Sequence, residues 1–177
     1  MNEFPNVLLI GLRGSGKSTL GRELAKRLHR PFIDLDDETK AQMHCKTVAE
    51  AWAKYGESGY RQAETRALRK VLTRPGQIIA LGGGTPTAPG ARDIIERAQL
   101  GRNAMVIYLR ASASTLRERL SKADVSDRPA LTGTDSIAEI DLVLARRDGL
   151  YRSIADEVID VDHADERTSL RELLSLF

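Results

Sequence analysis

Apolar residues along this chain follow two rhythms that take turns. Short unbroken runs stand at Val7–Ile10, Ile78–Leu81 and Met105–Leu109, with apolar pairs inside 32–34 and 157–161. Runs this short, without polar alternation, predict strands buried on both faces of a sheet. Between the runs, apolar residues recur every three or four positions, as Leu20, Leu24, Ala25 and Leu28 do after the first. That period predicts helices at about 16–29, 60–72, 88–98, 112–121, 136–151 and 166–176, one opening at Asp34–Asp37 and one starting at Thr47. Thr47-Val48-Ala49-Glu50 and Ser136-Ile137-Ala138-Glu139 fit the pattern in which a hydroxyl and a carboxylate cap a helix start reciprocally. Pro31 ends the first helix, and Gly56 and Gly59 bracket a turn before the helix at Tyr60. Residues 122–134 show neither rhythm and read as irregular. Strands alternating with helices predict an α/β fold, a parallel sheet covered on both faces. Ligands of such sheets bind outside the carboxyl ends of the strands.

The turn after the first strand carries chemistry. Gly11-Leu12-Arg13-Gly14-Ser15-Gly16-Lys17-Ser18, followed by Thr19, fits the phosphate-loop pattern G-x-x-x-x-G-K-[ST]. Glycines let the backbone curl so that N–H groups cradle phosphate oxygens, and the following helix adds partial positive charge. Lys17 is positioned to reach the β- and γ-phosphates, and Ser18 to ligate Mg²⁺. At average composition the bare pattern turns up in roughly one chain in a hundred of this length, and the flanking strand and helix make chance rarer still. Nucleotide binding by Gly14 to Thr19 is therefore the reading. Many phosphate-loop ATPases place an acid at the end of a second strand. Here two strands end in Gly82 and Arg110, and only Phe32-Ile33-Asp34 ends in an acid, so Asp34 joins Ser18 as the metal pair. No Asn-Lys-x-Asp signature for guanine is present, which argues against a GTPase. Asp36 has two readings: alternation along an extended segment puts it beside Asp34 facing the phosphate loop, or it caps the next helix.

Composition bounds the rest. The 177 residues suit one domain; 41% are hydrophobic and 29% charged, as in a soluble globular protein. A net charge of +2 gives no reason to expect nucleic-acid or membrane binding. No run is long enough to span a bilayer, and Met1–Pro5 lacks the basic and apolar regions of a secretion signal. Cys45 is the single cysteine and reads as a small buried or helix-surface thiol, which fits a reducing cytosol. His29, His44 and His163 have no ligand spacing, and Trp52 reads as a packing residue.

Several further motifs occur together, in one order. They are Phe32-Ile33-Asp34-Leu35-Asp36, Gly56-Glu57, Tyr60-Arg61-Gln62-Ala63-Glu64, Leu81-Gly82-Gly83-Gly84, Arg128-Pro129-Ala130-Leu131 and Arg147-Asp148-Gly149-Leu150-Tyr151. With the phosphate loop, this set resembles shikimate kinase over nearly the whole chain. The resemblance implies a three-layer α/β/α sandwich of the phosphate-loop kinase type, with a five-stranded parallel sheet in the order 2-3-1-4-5. It implies a cytoplasmic monomer, ATP as co-substrate with Mg²⁺, and transfer of a phosphoryl group to the 3-hydroxyl of shikimate for chorismate and aromatic amino-acid synthesis. Residues 34–61 would form the substrate segment and 122–134 a lid. Arg61 and Arg147 match the arginines that hold the acceptor's carboxylate, and Gly82, Gly83 and Gly84 the glycines beside it. Asp36 matches the acid that orients the acceptor hydroxyl, and Arg128 the lid arginine that contacts phosphate. Arg61 and Glu64, three apart, would otherwise read as a surface pair. Arg119 falls near a position that stacks on adenine, or on a solvated helix face. Two positions depart from the pattern: Tyr60 stands where Phe is usual, and Gly149 where Pro is frequent. Gluconate or nucleoside-monophosphate kinases share the loop and lid but not the Asp36, Arg61 and Arg147 set. A nucleotide-binding regulator without turnover would not need Lys17 and a lid arginine intact.

Overall fold

In the computed structural model, residues 5–122, 139–162 and 165–177 are described. Five parallel strands lie in the order β2-β3-β1-β4-β5. They are β1 (Asn6–Ile10), β2 (Phe32–Asp34), β3 (Ile78–Ala80), β4 (Ala104–Arg110) and β5 (Glu157–Asp160). β1 is central and every one of its residues is buried, which is why its sequence is unbroken Val-Leu-Leu-Ile after Asn6. Leu8 pairs with Ile79 on one side and Val106 on the other.

The strand order decides where the helices go. A parallel crossover is right-handed, so connections running in opposite directions across the sheet lie on opposite faces. From β1 the chain passes through α1 (Lys17–Leu28) to the outer strand β2. It then moves back across the sheet through α2 (Leu35–Met43), α3 (Val48–Val71), α4 (Ala91–Leu100), α5 (Ala113–Ser121) and α6 (Ile140–Ile154). The last helix, α7 (Glu166–Leu174), returns to pack on α1, while α3, α4 and α6 pack together on the other face. Three layers result, with a core running from Leu8 and Leu9 in the sheet to Leu24 on one face and Leu68 and Ile95 on the other. A second, smaller cluster of Met43, Cys45, Val48, Ala51, Tyr60 and Ala63 joins α2 to α3. Among the described residues, no helix is long and apolar enough to cross a membrane.

The structure differs from the sequence expectation in four places. Asp36 does not lie on an extended segment, because α2 begins at Leu35 and the cap is Asp34, whose Oδ1 accepts from Asp36 N at 3.1 Å. The turn expected at Gly56–Gly59 is a kink inside one helical run: Gly56 adopts φ 70°, ψ 169° and redirects α3 without ending it. The helix expected from Ala88 starts at Ala91, since Thr85–Thr87 form a short 3₁₀ turn. Finally, α6 runs through Gly149 to Ile154. The capping pattern at Ser136 lies outside the described residues except for Glu139. The expected lid lies outside them too, except for Lys122.

Candidate active site

Two cavities open along the carboxyl edge of the sheet. The larger follows the phosphate loop; the smaller lies between the second core cluster and α6. Among the described residues, Arg13 and Asp36 line both.

The larger cavity is built by the β1–α1 turn. Gly14 and Gly16 take left-handed conformations, with φ of 85° and 94°, and α1 starts directly at Lys17. The N-terminus of α1 therefore opens on the cavity, and Gly14, Ser15, Gly16, Lys17, Ser18 and Thr19 all line it. Lys17 is less exposed than a loop lysine would be. Its Nζ donates to the Gly11 and Leu12 carbonyls, each at 2.8 Å, and so folds back on the loop. Ser15 Oγ is buried without a hydrogen-bond partner among the described residues. Ser18 Oγ donates to Asp34 Oδ2 at 2.6 Å, so the two oxygens assigned to a metal are brought together across β2 and α1. The donor set fits Mg²⁺, a hard cation that takes one or two protein oxygens and completes its shell with phosphates and water. No cluster of three or more His, Cys, Asp or Glu among the described residues could hold a metal by itself.

Arg119 is not on a solvated face. It lines the nucleotide-side cavity and donates from Nη2 to the Val161 carbonyl at 2.7 Å, because α5 lies alongside the loop. Asp165, the cap of α7, and the buried Ser169 line the same wall. Nothing in the local sequence of α7 singles them out; the long return of the chain to α1 brings them there.

Of the remaining candidates, Asp36, Arg61, Gly83, Gly84 and Arg147 line the smaller cavity. Arg61 is not a surface residue. Its Nη1 donates to Glu64 Oε2 at 2.6 Å, and the Glu64 side chain is 1% exposed. Glu64 is fixed in turn by Thr85 Oγ1, which donates to its Oε1 at 2.8 Å. Burial works against the Arg61 charge, but Glu64 and Glu57 outweigh it and hold the guanidinium above the ordinary arginine pKa. The Arg61 Cζ also lies 5.7 Å from the centroid of the Trp52 ring. Trp52 packs on the second cluster, as its sequence position suggests, yet it lines this cavity as well.

Gly83 and Gly84 line this cavity, and Gly82 lies against Asp36 and Glu64. A Cβ on Gly84 would run into the Arg61 guanidinium, and one on Gly82 would sit 2.6 Å from Asp36 Oδ1 and 2.7 Å from Glu64 Oε1. The space above these glycines is thus filled by the charged groups themselves. The Gly83 carbonyl accepts from Arg147 Nη1 at 3.2 Å and from the Tyr151 hydroxyl. Those two bonds dock α6 on the sheet edge and bring Arg147 into the cavity wall beside Arg61. Burial pushes the Tyr151 phenol up to about 12, so the hydroxyl stays a donor. Asp36 stands between the cavities, and its Oδ1 accepts from the Tyr60 hydroxyl at 3.1 Å. Arg128 lies outside the described residues.

This arrangement is a phosphate cradle set beside a pocket lined by Arg61 and Arg147, with Arg13 and Asp36 common to both. Residues 13–177 match the family model described as shikimate kinase. The chain is 38% identical to shikimate kinase 2 of Syntrophotalea carbinolica over 172 residues, covering 94% of each. It is 39% identical to the shikimate kinase of Rhodopirellula baltica over 173 residues, 96% of this chain and 88% of that one. Among solved structures, shikimate kinase from Acinetobacter baumannii in complex with shikimate aligns at a TM-score of 0.86 and 30% identity, covering 98% of this chain and 92% of that one. The enzyme from Bacteroides thetaiotaomicron aligns at 0.81 and 30%, covering 97% of both.

Proposed function

This chain belongs to the shikimate kinase family, and from that premise we propose how its own residues transfer the γ-phosphoryl group of ATP to the 3-hydroxyl of shikimate. ATP takes the larger cavity, its phosphates against the N–H groups from Gly14 to Thr19. Lys17 leaves the Gly11 and Leu12 carbonyls and turns to the phosphates, a stronger partner for an ammonium than two neutral oxygens. Ser18 and Asp34 would hold Mg²⁺, which neutralises charge on the phosphates when bound. Shikimate takes the smaller cavity. Arg61, aimed by Glu64, and Arg147, docked on Gly83, offer planar forks to its carboxylate. Asp36, at the boundary, accepts a hydrogen bond from the acceptor hydroxyl, orients it in line with the phosphoryl group and takes its proton.

Arg128 is assigned to the transferred phosphoryl group by its Arg-Pro-Ala-Leu motif alone. Little covalent chemistry is asked of the protein in such a transfer; positioning and charge neutralisation do most of the catalysis. A monomer working in the cytoplasm, without nucleic acid or membrane, completes the proposal.

The observation that supports it most is the wall common to the two cavities, in which Asp36 lines both. ADP release, measured with shikimate, quinate, gluconate and nucleoside monophosphates as acceptors, should be rapid with shikimate alone. Equal rates with a nucleoside monophosphate would sink the reading. Lys17→Ala should lose turnover and bind ATP weakly while its far-ultraviolet circular dichroism stays that of the parent.

A further inference from the structure

Tyr60 and Asp36 come from different helices, and each is almost wholly out of water: Tyr60 is 2% exposed and Asp36 8%. The tyrosine ring belongs to the cluster that joins α2 to α3, and a phenylalanine ring would fill that space equally well. What the tyrosine adds is its hydroxyl, which donates to Asp36 Oδ1 at 3.1 Å. The same oxygen faces Gly82, where a Cβ would stand only 2.6 Å away. Oδ1 is therefore seated between a donor and the Gly82 backbone.

We propose that Tyr60 is a positioning residue for the phosphoryl transfer: its hydroxyl fixes the plane of the Asp36 carboxylate, and so the direction in which that group holds the acceptor hydroxyl. The proposal rests on the functional reading above. A terminal carboxylate torsion is broad, so a hydrogen bond held on one of its oxygens narrows the planes the group samples. Shikimate affinity comes mainly from the arginine forks, which Tyr60 does not hold. Alignment of the attacking oxygen comes from Asp36, and misalignment is felt in the transfer step more than in binding. The hydroxyl of Tyr60 thus acts on kcat and leaves ground-state affinity nearly untouched.

Tyr60→Phe separates this from a purely structural role, because it keeps the ring and removes the hydrogen bond. Trp52, the single tryptophan of the chain, lines the same cavity and reports shikimate binding by its fluorescence. The expected result is a kcat lowered about tenfold, as for loss of one hydrogen bond to a charged group that matters in the transition state. The shikimate Kd should stay within about threefold and the KM for ATP should not move. A kcat within about twofold of the parent overturns the proposal. So does a variant in which kcat and shikimate affinity fall together, for then the tyrosine shapes the pocket and not the carboxylate. A parent enzyme that releases no ADP with shikimate overturns the functional reading, and the proposal with it.

Discussion

At the scale of single residues, identity and role part company most clearly at arginine. The chain has many arginines, and Arg61 differs from the rest in its surroundings, not its type. A carboxylate with 1% exposure faces it, an indole flanks it, and the residue beneath is glycine. An (i, i+3) Arg–Glu pair on a helix is usually a solvated pair worth a few tenths of a kcal/mol, and spacing by itself gives no reason to read this one otherwise. Burial is a property of the assembled fold, set here by Thr85 and the glycines arriving from β3. The family motif made Arg61 legible; periodicity did not. Arg119 shows the same limit, its placement fixed by how α5 lies against the loop. For Arg61→Lys and Arg147→Lys we expect shikimate affinity to fall about ten- to a hundredfold, because an ammonium cannot form the two parallel bonds and about 1.5–3 kcal/mol goes with a charged hydrogen bond. ATP affinity should change far less. Calorimetric titration of each ligand checks both halves, and unchanged shikimate binding in both variants would remove the arginines from the carboxylate site.

At the scale of elements, the sequence was legible wherever one rhythm ran uninterrupted. All five strands stand as expected, β1, β3 and β4 because a buried parallel strand cannot hide its apolar run, and the sheet order is the one the family resemblance implied. Boundaries were less legible where polar groups decide them. Asp34 rather than Asp36 caps α2, because its carboxylate reaches the Asp36 N–H two residues on. The Gly56 kink also escaped the pattern: a glycine that bends a helix and one that ends it look alike in sequence. Gly149 is the converse case. It sits inside α6 where, beyond its own helix backbone and chain neighbours, no described atom comes within 4 Å of where a Cβ would stand, and its φ is not positive. Arg147 therefore lies on an unbroken helix, anchored by Tyr151 one turn further on. Gly149→Ala should stabilise the protein by about 0.5–1 kcal/mol, the difference in helix propensity and unfolded-chain entropy. Urea unfolding should show a higher midpoint at unchanged slope. A lower midpoint would mean that α6 is not helical at this position in solution.

At the scale of the whole molecule, the sheet edge acts as a frame that holds hydroxyls and charges in register. Tyr151 ties α6 to Gly83, and Tyr108 ties β4 to Asp148 at 2.8 Å. Both phenols are raised, chiefly by burial, Tyr151 from an ordinary 10.0 to about 12. A raised phenol stays neutral in the fold after its unfolded counterpart has ionised. Its contribution is therefore whole below pH 10 and is lost as pH rises toward 12. Stability to urea should decline over that window, and Tyr151→Phe should decline less steeply than the parent. An identical slope in the two proteins would show that Tyr151 does not titrate with unfolding. The party wall of Arg13 and Asp36 has a different consequence, one for ligand design. Because the two chambers adjoin, a single molecule joining an adenine nucleotide to a cyclic carboxylic acid needs only a short tether to occupy both. Its second half would then dock at an effective concentration far above any free ligand's, and avidity on the order of a hundred- to ten-thousandfold over either half becomes attainable without a new contact.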